Sequence, residues 1–507
     1  MNPPSRDNPF RIIILGGGTA GWMAACLMAK RWVNNDVEIS LIEAPDIGII
    51  GVGEGSTPQL KAFFDYLRVR EKEWMPKCNA TYKNGIRFTG WSARSGKNSY
   101  FHPFPSPIDT HTAPGFYYNS HYRRQGVDLC ADPDRFFLSA TLAEQRLAPI
   151  PNDNFPFDIA YGYHFDAYLV GAFLREHAKT LGVEHIEAKI SDIERSDSGD
   201  IAALIADNGK RYAGNFFVDS TGFQAVLLQK LLGVPFISFA ENLFADSAVV
   251  IPTPVKGENI ASQTTATALS TGWVWNIPLT NRTGNGYVYS SSFCSSDAAE
   301  DELRAHLGLS KADVEARHIK MKVGRVREHW SRNCLAVGLS QGFIEPLEAT
   351  ALHLVQSTVE TFMDELEGAN FEPRGRDRFN DTINARFEGV RDYIVCHYRA
   401  NLRTDTEFWR ANAANRNISE SLHGILSCWF GRGDLKQEIS KQNIHRFYSL
   451  TSWICLLGGY GNYPEDDKLL PANGKIEKFD MTIIDDFIRR CSLNFRAHKS
   501  VLTEQLS

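Results

Sequence analysis

The sequence predicts an α/β protein: a nucleotide-binding β-α-β module, an added β-sheet and a C-terminal helical subdomain. Three observations predict it. The apolar, β-branched run FRIIIL at Phe10–Leu15 passes directly into a glycine turn and then an Ala, Met and Leu-rich segment. Several β-rich stretches follow between Ala248 and Tyr289. From about Arg374 strand signals fade and helical spacing takes over, with Trp409, Trp429 and Trp453 along it.

Each element follows in order. Phe10–Leu15 reads as a buried parallel strand, residues 22–33 as its following helix, and residues 37–42 as the second strand, which ends in Glu43. Residues 47–58 are too glycine-rich for regular structure, and residues 59–69 are helical. Residues 92–114, full of Ser, Pro, His and Asn, predict a long loop. An amphipathic helix over 167–181 leads into strands within 184–194, at Ile201–Ala206 and at Phe216–Asp219. Residues 335–338 form a last core strand. Pro346 then opens a helix with apolar positions at Leu347, Ala351, Leu354, Val355 and Phe362. Two units result, 1–370 and 371–507.

Composition narrows the class. A chain of 507 residues that is 43% hydrophobic buries a sizeable core. Its net charge of -6 gives no global basic field, so neither nucleic acid nor an anionic membrane is an expected partner. The nine cysteines include no C-x-x-C pair, which argues against a metal ribbon or disulfide framework and fits a reducing cytoplasm. The polar N-terminus does not read as a secretory signal, and no apolar run is long enough to cross a bilayer.

Gly16-x-Gly18-x-x-Gly21 lies where a dinucleotide site needs it, after a strand and at the start of a helix. Glycines there permit a tight turn and close backbone approach, and the helix N-terminus favours a pyrophosphate. Glu43, 22 residues after Gly21, suits ribose hydroxyls. The fingerprint itself does not separate NAD from FAD. Two later segments favour FAD, in a module of the glutathione-reductase/hydroxylase-like type. These are the strand and D-x-T-G turn at Phe216 to Gly222, and the late strand and turn at Leu335 to Leu339.

Four segments together resemble the flavin-dependent tryptophan halogenases: GGGTAGWMAA from Gly16, GVGEGSTP from Gly51, GWVWNIP from Gly272 and EPLEATA from Glu345. The third is the most specific, since two tryptophans and a proline rarely coincide at that spacing. The resemblance runs from about residue 10 to 365 and more loosely to the C-terminus. It implies an enzyme in which reduced FAD and oxygen oxidise bromide or chloride to hypohalous acid, which then halogenates an electron-rich aromatic ring. It implies FAD contacts from Gly16, Gly18, Thr19, Ala20, Gly21, Glu43, Val52, Glu54, Ile190, Leu339 and Leu352. The segment from Trp74 to Lys83 matches the one bearing the family's catalytic lysine, which places that role on Lys83. Glu348 matches the second catalytic residue, Thr350 and Ala351 match the halide site, and His102 and Phe104 match a ring-stacking pair. Trp273 and Trp275 would crowd the flavin.

An ammonium in a dry passage can hydrogen-bond hypohalous acid, and a lysine of lowered pKa can instead form a haloamine; the sequence leaves both open. A carboxylate beside the ring stabilises the cationic intermediate and accepts its proton. In the first turn after Pro346, Glu348 could equally complement a helix dipole. The family's tryptophan-specific members carry a Tyr-Tyr-Glu cluster for the amino acid's charged groups. The corresponding stretch, about Gly433 to Arg446, has no tyrosine pair. A zwitterion without partners is costly to desolvate, so the expected substrate is indole, or an indole derivative, rather than free tryptophan. A single dinucleotide fingerprint fits FADH2 delivered by a separate flavin reductase. The alternatives at this point are an aromatic flavin monooxygenase, a flavin-binding sensor and a pyridine-nucleotide dehydrogenase.

Overall fold

The structure is a computed structural model; it describes residues 5, 7–45, 53–94, 96, 98–255, 260–310, 314–473, 476 and 480–506. Phe10–Leu15 lies inside a six-stranded sheet, hydrogen-bonded in parallel to Val37–Glu43 on one side and Phe216–Asp219 on the other. Glu184–Glu187 extends the first side, and Cys334–Ala336 the second, both in parallel. Strands covered on both faces need apolar residues throughout, and Ile12, Ile13 and Ile14 are all buried. Helix Thr19–Arg31, with nine buried residues from Gly21 to Ala29, packs against helix Ala167–Thr180.

The β-rich middle of the chain forms most of an eight-stranded sheet, in which Gly272–Pro278 pairs with Thr264–Ala268 and with Arg282–Tyr289. Two earlier strands, Gly85–Thr89 and Ser99–Pro103, and the later Arg317–Lys320 complete it. The second of these corrects the expected loop over 92–114, which contains strand Ser99–Pro103, the turn Pro107–His111 and the start of helix Ala113–Arg124. Edge pairing to Gly85–Thr89 outweighs local composition there, and Tyr100 and Phe101 are buried by it. A small antiparallel sheet joins Gly53–Gly55 and Thr81–Lys83 through Gly162–Asp166.

The expected helix from Pro346 is also corrected. Pro346–Glu348 is a single 3₁₀ turn, Ala349 takes the left-handed conformation (φ 56), and the α-helix spans Ala351–Gly368. Glu348 therefore precedes the helix rather than lying in its first turn. After residue 370 the chain is mainly helical, led by the 25-residue Arg376–Ala400. Its core is continuous with the sheets: Phe379 makes edge contacts to both Trp330 and Phe362. Trp409, Trp429 and Trp453 are buried. Strand Phe495–Ala497 returns to pair with Leu147–Pro151. Among the described residues no helix is long and apolar enough to cross a membrane.

Candidate functional site

The glycine turn is sterically obligatory. Gly16 has φ +112, and a Cβ on it would lie 2.2 Å from the Ser220 carbonyl oxygen. A Cβ on Gly21 would meet the Gly16 carbonyl oxygen at 2.1 Å, whereas Gly18 has nothing within 4 Å and leaves the turn open. The open turn and the first amides of helix Thr19–Arg31 suit a dinucleotide pyrophosphate. Glu43 rests its carboxylate over Gly17 and accepts a hydrogen bond from His185 Nε2 at 2.7 Å.

These elements wall a cavity of about 1130 Å³. Of the residues expected to contact cofactor, Gly16, Gly18, Thr19 and Ala20 line it; so do Glu43, Glu54 and Ile190, and so do Leu339 and Leu352. Gly21 stands behind the turn, and Val52 lies outside the described residues. Burial, with the nearby Asp166 charge, pushes the Glu54 carboxyl up to about 7. Trp273 and Trp275 line the same cavity, their ring centroids 6.2 Å apart. In the D-x-T-G turn, buried Asp219 is structural. It accepts from the Leu227 and Leu228 amides at 2.8 Å each, from the Thr221 hydroxyl at 2.6 Å and from the Ser340 hydroxyl at 3.1 Å.

Lys83 is on the wall of this cavity. It ends strand Thr81–Lys83 and is 0% exposed, and Nζ has no hydrogen-bond partner among the described residues. The amine sits over Gly55, where a Cβ would lie 3.3 Å from Nζ, and 5.5 Å from the Phe104 ring centroid. Burial pulls the ammonium down to about 7, against an upward pull from Glu348.

Glu348, also buried, does not line the cavity. Its carboxylate faces His102 Nδ1 at 3.1 Å and His397 Nε2 at 2.8 Å. Burial pushes this carboxyl up, but the two imidazoles outweigh it and hold the group at about 2. His102, expected as a loop residue, is instead a buried strand residue; its ring also stacks on Tyr393 at 6.1 Å, and Tyr393 in turn on Tyr448 at 3.6 Å. Thr350 is buried beside Ala351 at the N-terminus of Ala351–Gly368, and Ala351 lines the cavity.

Two residues escaped the sequence reading. His397, on Arg376–Ala400, has no local signal to distinguish it from any helical histidine. Glu345 is 0% exposed, and its Oε2 accepts from Trp273 Nε1 at 2.7 Å and from the Tyr398 hydroxyl at 2.6 Å. Its place in EPLEATA, three residues before Glu348, was the one available hint.

The tryptophan halogenase family model matches residues 11–473. A 7-chloro-L-tryptophan 6-halogenase from Kutzneria sp. (strain 744) is 35% identical over 478 residues, 89% of this chain and 90% of that protein. The crystal structure of a tryptophan 6-halogenase from Streptomyces toxytricini superimposes with TM-score 0.83 at 32% identity, covering 97% of this chain and 98% of its own. A flavin-dependent halogenase from Brevundimonas sp. BAL3 gives TM-score 0.83 at 30% identity, covering 98% and 99%. The motifs, the architecture and these likenesses agree: the chain belongs to the tryptophan halogenase family and is a flavin-dependent halogenase.

Proposed function

We propose that this enzyme uses reduced FAD, oxygen and bromide or chloride to halogenate indole or an indole derivative rather than free tryptophan. Bound FADH2, delivered by a separate flavin reductase, would together with oxygen supply the oxidising power that converts halide to hypohalous acid. The glycine turn would hold the pyrophosphate, Glu43 the ribose, and the first amides at Thr350 and Ala351 the halide.

Lys83 receives the hypohalous acid. Its neutral amine attacks the halogen: an N–halogen bond forms, the O–halogen bond breaks, and the departing hydroxide takes a proton from solvent to leave as water, so the nitrogen keeps both its hydrogens as a halo-ammonium. The ring carbon then takes the halogen, the N–halogen electron pair returns to nitrogen, and Glu348 removes the displaced ring proton. The observation that carries this reading is the Lys83 amine, 0% exposed and without a hydrogen-bond partner among the described residues, on the wall of the cavity that begins at the glycine turn. A solvated lysine would serve no such purpose.

The preference for indole rests on the substrate side. Residues 433–446 fold as helix Leu435–Gln442 and the turn Ile444–Arg446, with no tyrosine pair. Near Glu348 the neighbours are aromatic: His102, Tyr393 and Tyr448. Mass spectrometry of products from a panel of indoles and free tryptophan, with reduced FAD, oxygen and each halide, tests the proposal. Halogen isotope doublets on simple indoles are expected. Lys83→Ala should oxidise flavin at the wild-type rate yet yield no halogenated product. Gain of one oxygen instead, efficient turnover of free tryptophan, or NADH oxidation by the chain alone would each refute the corresponding part.

A further inference from the structure

The segment Glu345-Pro346-Leu347-Glu348 contains its own comparison. Both glutamates are buried, three residues apart, and each accepts two side-chain donors. Glu345, with an indole N–H and a phenol, is pushed up to about 7 by burial. Glu348, with two imidazoles, is held near 2 against the same burial. Donor chemistry, not depth, separates them. A second fact concerns Lys83. It feels the charge of Glu348, yet its Nζ makes no ion pair and no hydrogen bond among the described residues. A buried amine and carboxylate within electrostatic reach would ordinarily pair.

We propose that His397, together with His102, is a positioning residue that keeps Glu348 ionised and turned away from Lys83, so that amine and carboxylate act separately. The geometry assigns the tautomer. A carboxylate only accepts, so His397 Nε2 carries the proton toward Glu348; Nδ1 then accepts from the Tyr460 hydroxyl at 2.6 Å, which fixes the ring. His397 is 0% exposed and is packed between Phe88 and Trp91, with ring centroids at 4.8 and 5.9 Å. It holds its position without touching the cavity.

The titratable groups around Glu348 are His102 from strand Ser99–Pro103, His397 and Tyr393 from the long helix, and Tyr448, Tyr460, Tyr100, Cys455 and Lys83. Burial pushes the phenols and the thiol upward, lowers His397, and pulls the Lys83 ammonium down to about 7. Losing the donor of His397 should let Glu348 take up a proton at higher pH or swing to Lys83.

The inference rests on the proposed role of Glu348, and the experiment separates the two. Halogenation of indole and of ring-deuterated indole is followed against pH in wild type, His397→Leu, His397→Gln, Tyr460→Phe and Glu348→Gln, with thermal midpoints and flavin affinity measured in parallel. His397→Leu should lower product per flavin turnover about tenfold or more, move the acid limb up by about one unit or more, and expose a primary isotope effect of about 2 or more that wild type lacks. His397→Gln, which restores a donor at the Nε2 position, should recover most of this, and Tyr460→Phe should fall between. If His397→Leu alters only the thermal midpoint, or if the leucine and glutamine variants behave alike, the inference is overturned. If Glu348→Gln halogenates at the wild-type rate, the underlying reading of Glu348 is overturned instead.

Discussion

The Trp273 indole N–H donates to Oε2 of Glu345 at 2.7 Å, and the Tyr398 hydroxyl donates to the same oxygen at 2.6 Å. One buried carboxyl thus ties the cavity wall to the long C-terminal helix. Burial raises its pKa to about 7. The charged form is therefore disfavoured in the folded state: the destabilisation is complete above about 7 and vanishes below the ordinary value of 4.5. Glu345→Gln, which still accepts, should raise the thermal midpoint at pH 8 and lose that advantage below pH ~4.5. Glu345→Leu strands both donors and should cost about 1–3 kcal/mol each in denaturant titrations.

Lys83 gives a second pH-dependent prediction. Its folded value of about 7 lies below the ordinary 10.5. Between the two the unfolded chain binds a proton that the folded chain does not, so the destabilisation grows as pH falls from 10.5 and is complete below about 7. Lys83→Met should stabilise the fold by roughly 3–5 kcal/mol at pH 6 and by nothing at pH 11. Chemical denaturation at both pH values checks this.

The role proposed for Lys83 carries a catalytic pH dependence as well. If the neutral amine carries the halogen, product formation in a single turnover should rise as pH rises through about 7. Decline through that range would identify the ammonium as the active form.

Gly55 offers a geometric test. A Cβ there would stand 3.3 Å from both Lys83 Nζ and Thr264 Oγ1. Gly55→Ala should displace the amine by a few tenths of an ångström, leave FAD affinity within a few-fold, and lower halogenation about tenfold or more. Flavin fluorescence titration and product yield, measured together, separate the two effects.

Asp219 tests the frame that holds the turn. Asp219→Ala leaves the Leu227 and Leu228 amides and the Thr221 hydroxyl without their acceptor. A loss of about 3–5 kcal/mol in unfolding free energy is expected, with weakened flavin binding as a consequence.

What the sequence determined by itself was local. The strand, glycine turn and helix at residues 10–31 rest on side-chain periodicity and on a backbone conformation that only glycine adopts freely, and both are written within a few neighbouring residues. The motifs around Lys83, Trp273 and Glu348 were likewise legible as contiguous strings. The loop expected over 92–114 failed because strand pairing supplied what composition lacked, and the helix expected from Pro346 failed because Ala349 breaks it. Tertiary structure alone decided the rest. His102 and His397 reach Glu348 from 246 and 49 residues away. The burial that lowers the Lys83 pKa comes from sheets and helices distant in the chain. Such contacts depend on how whole elements pack, and a side chain's charge state follows from that packing rather than from its neighbours in sequence.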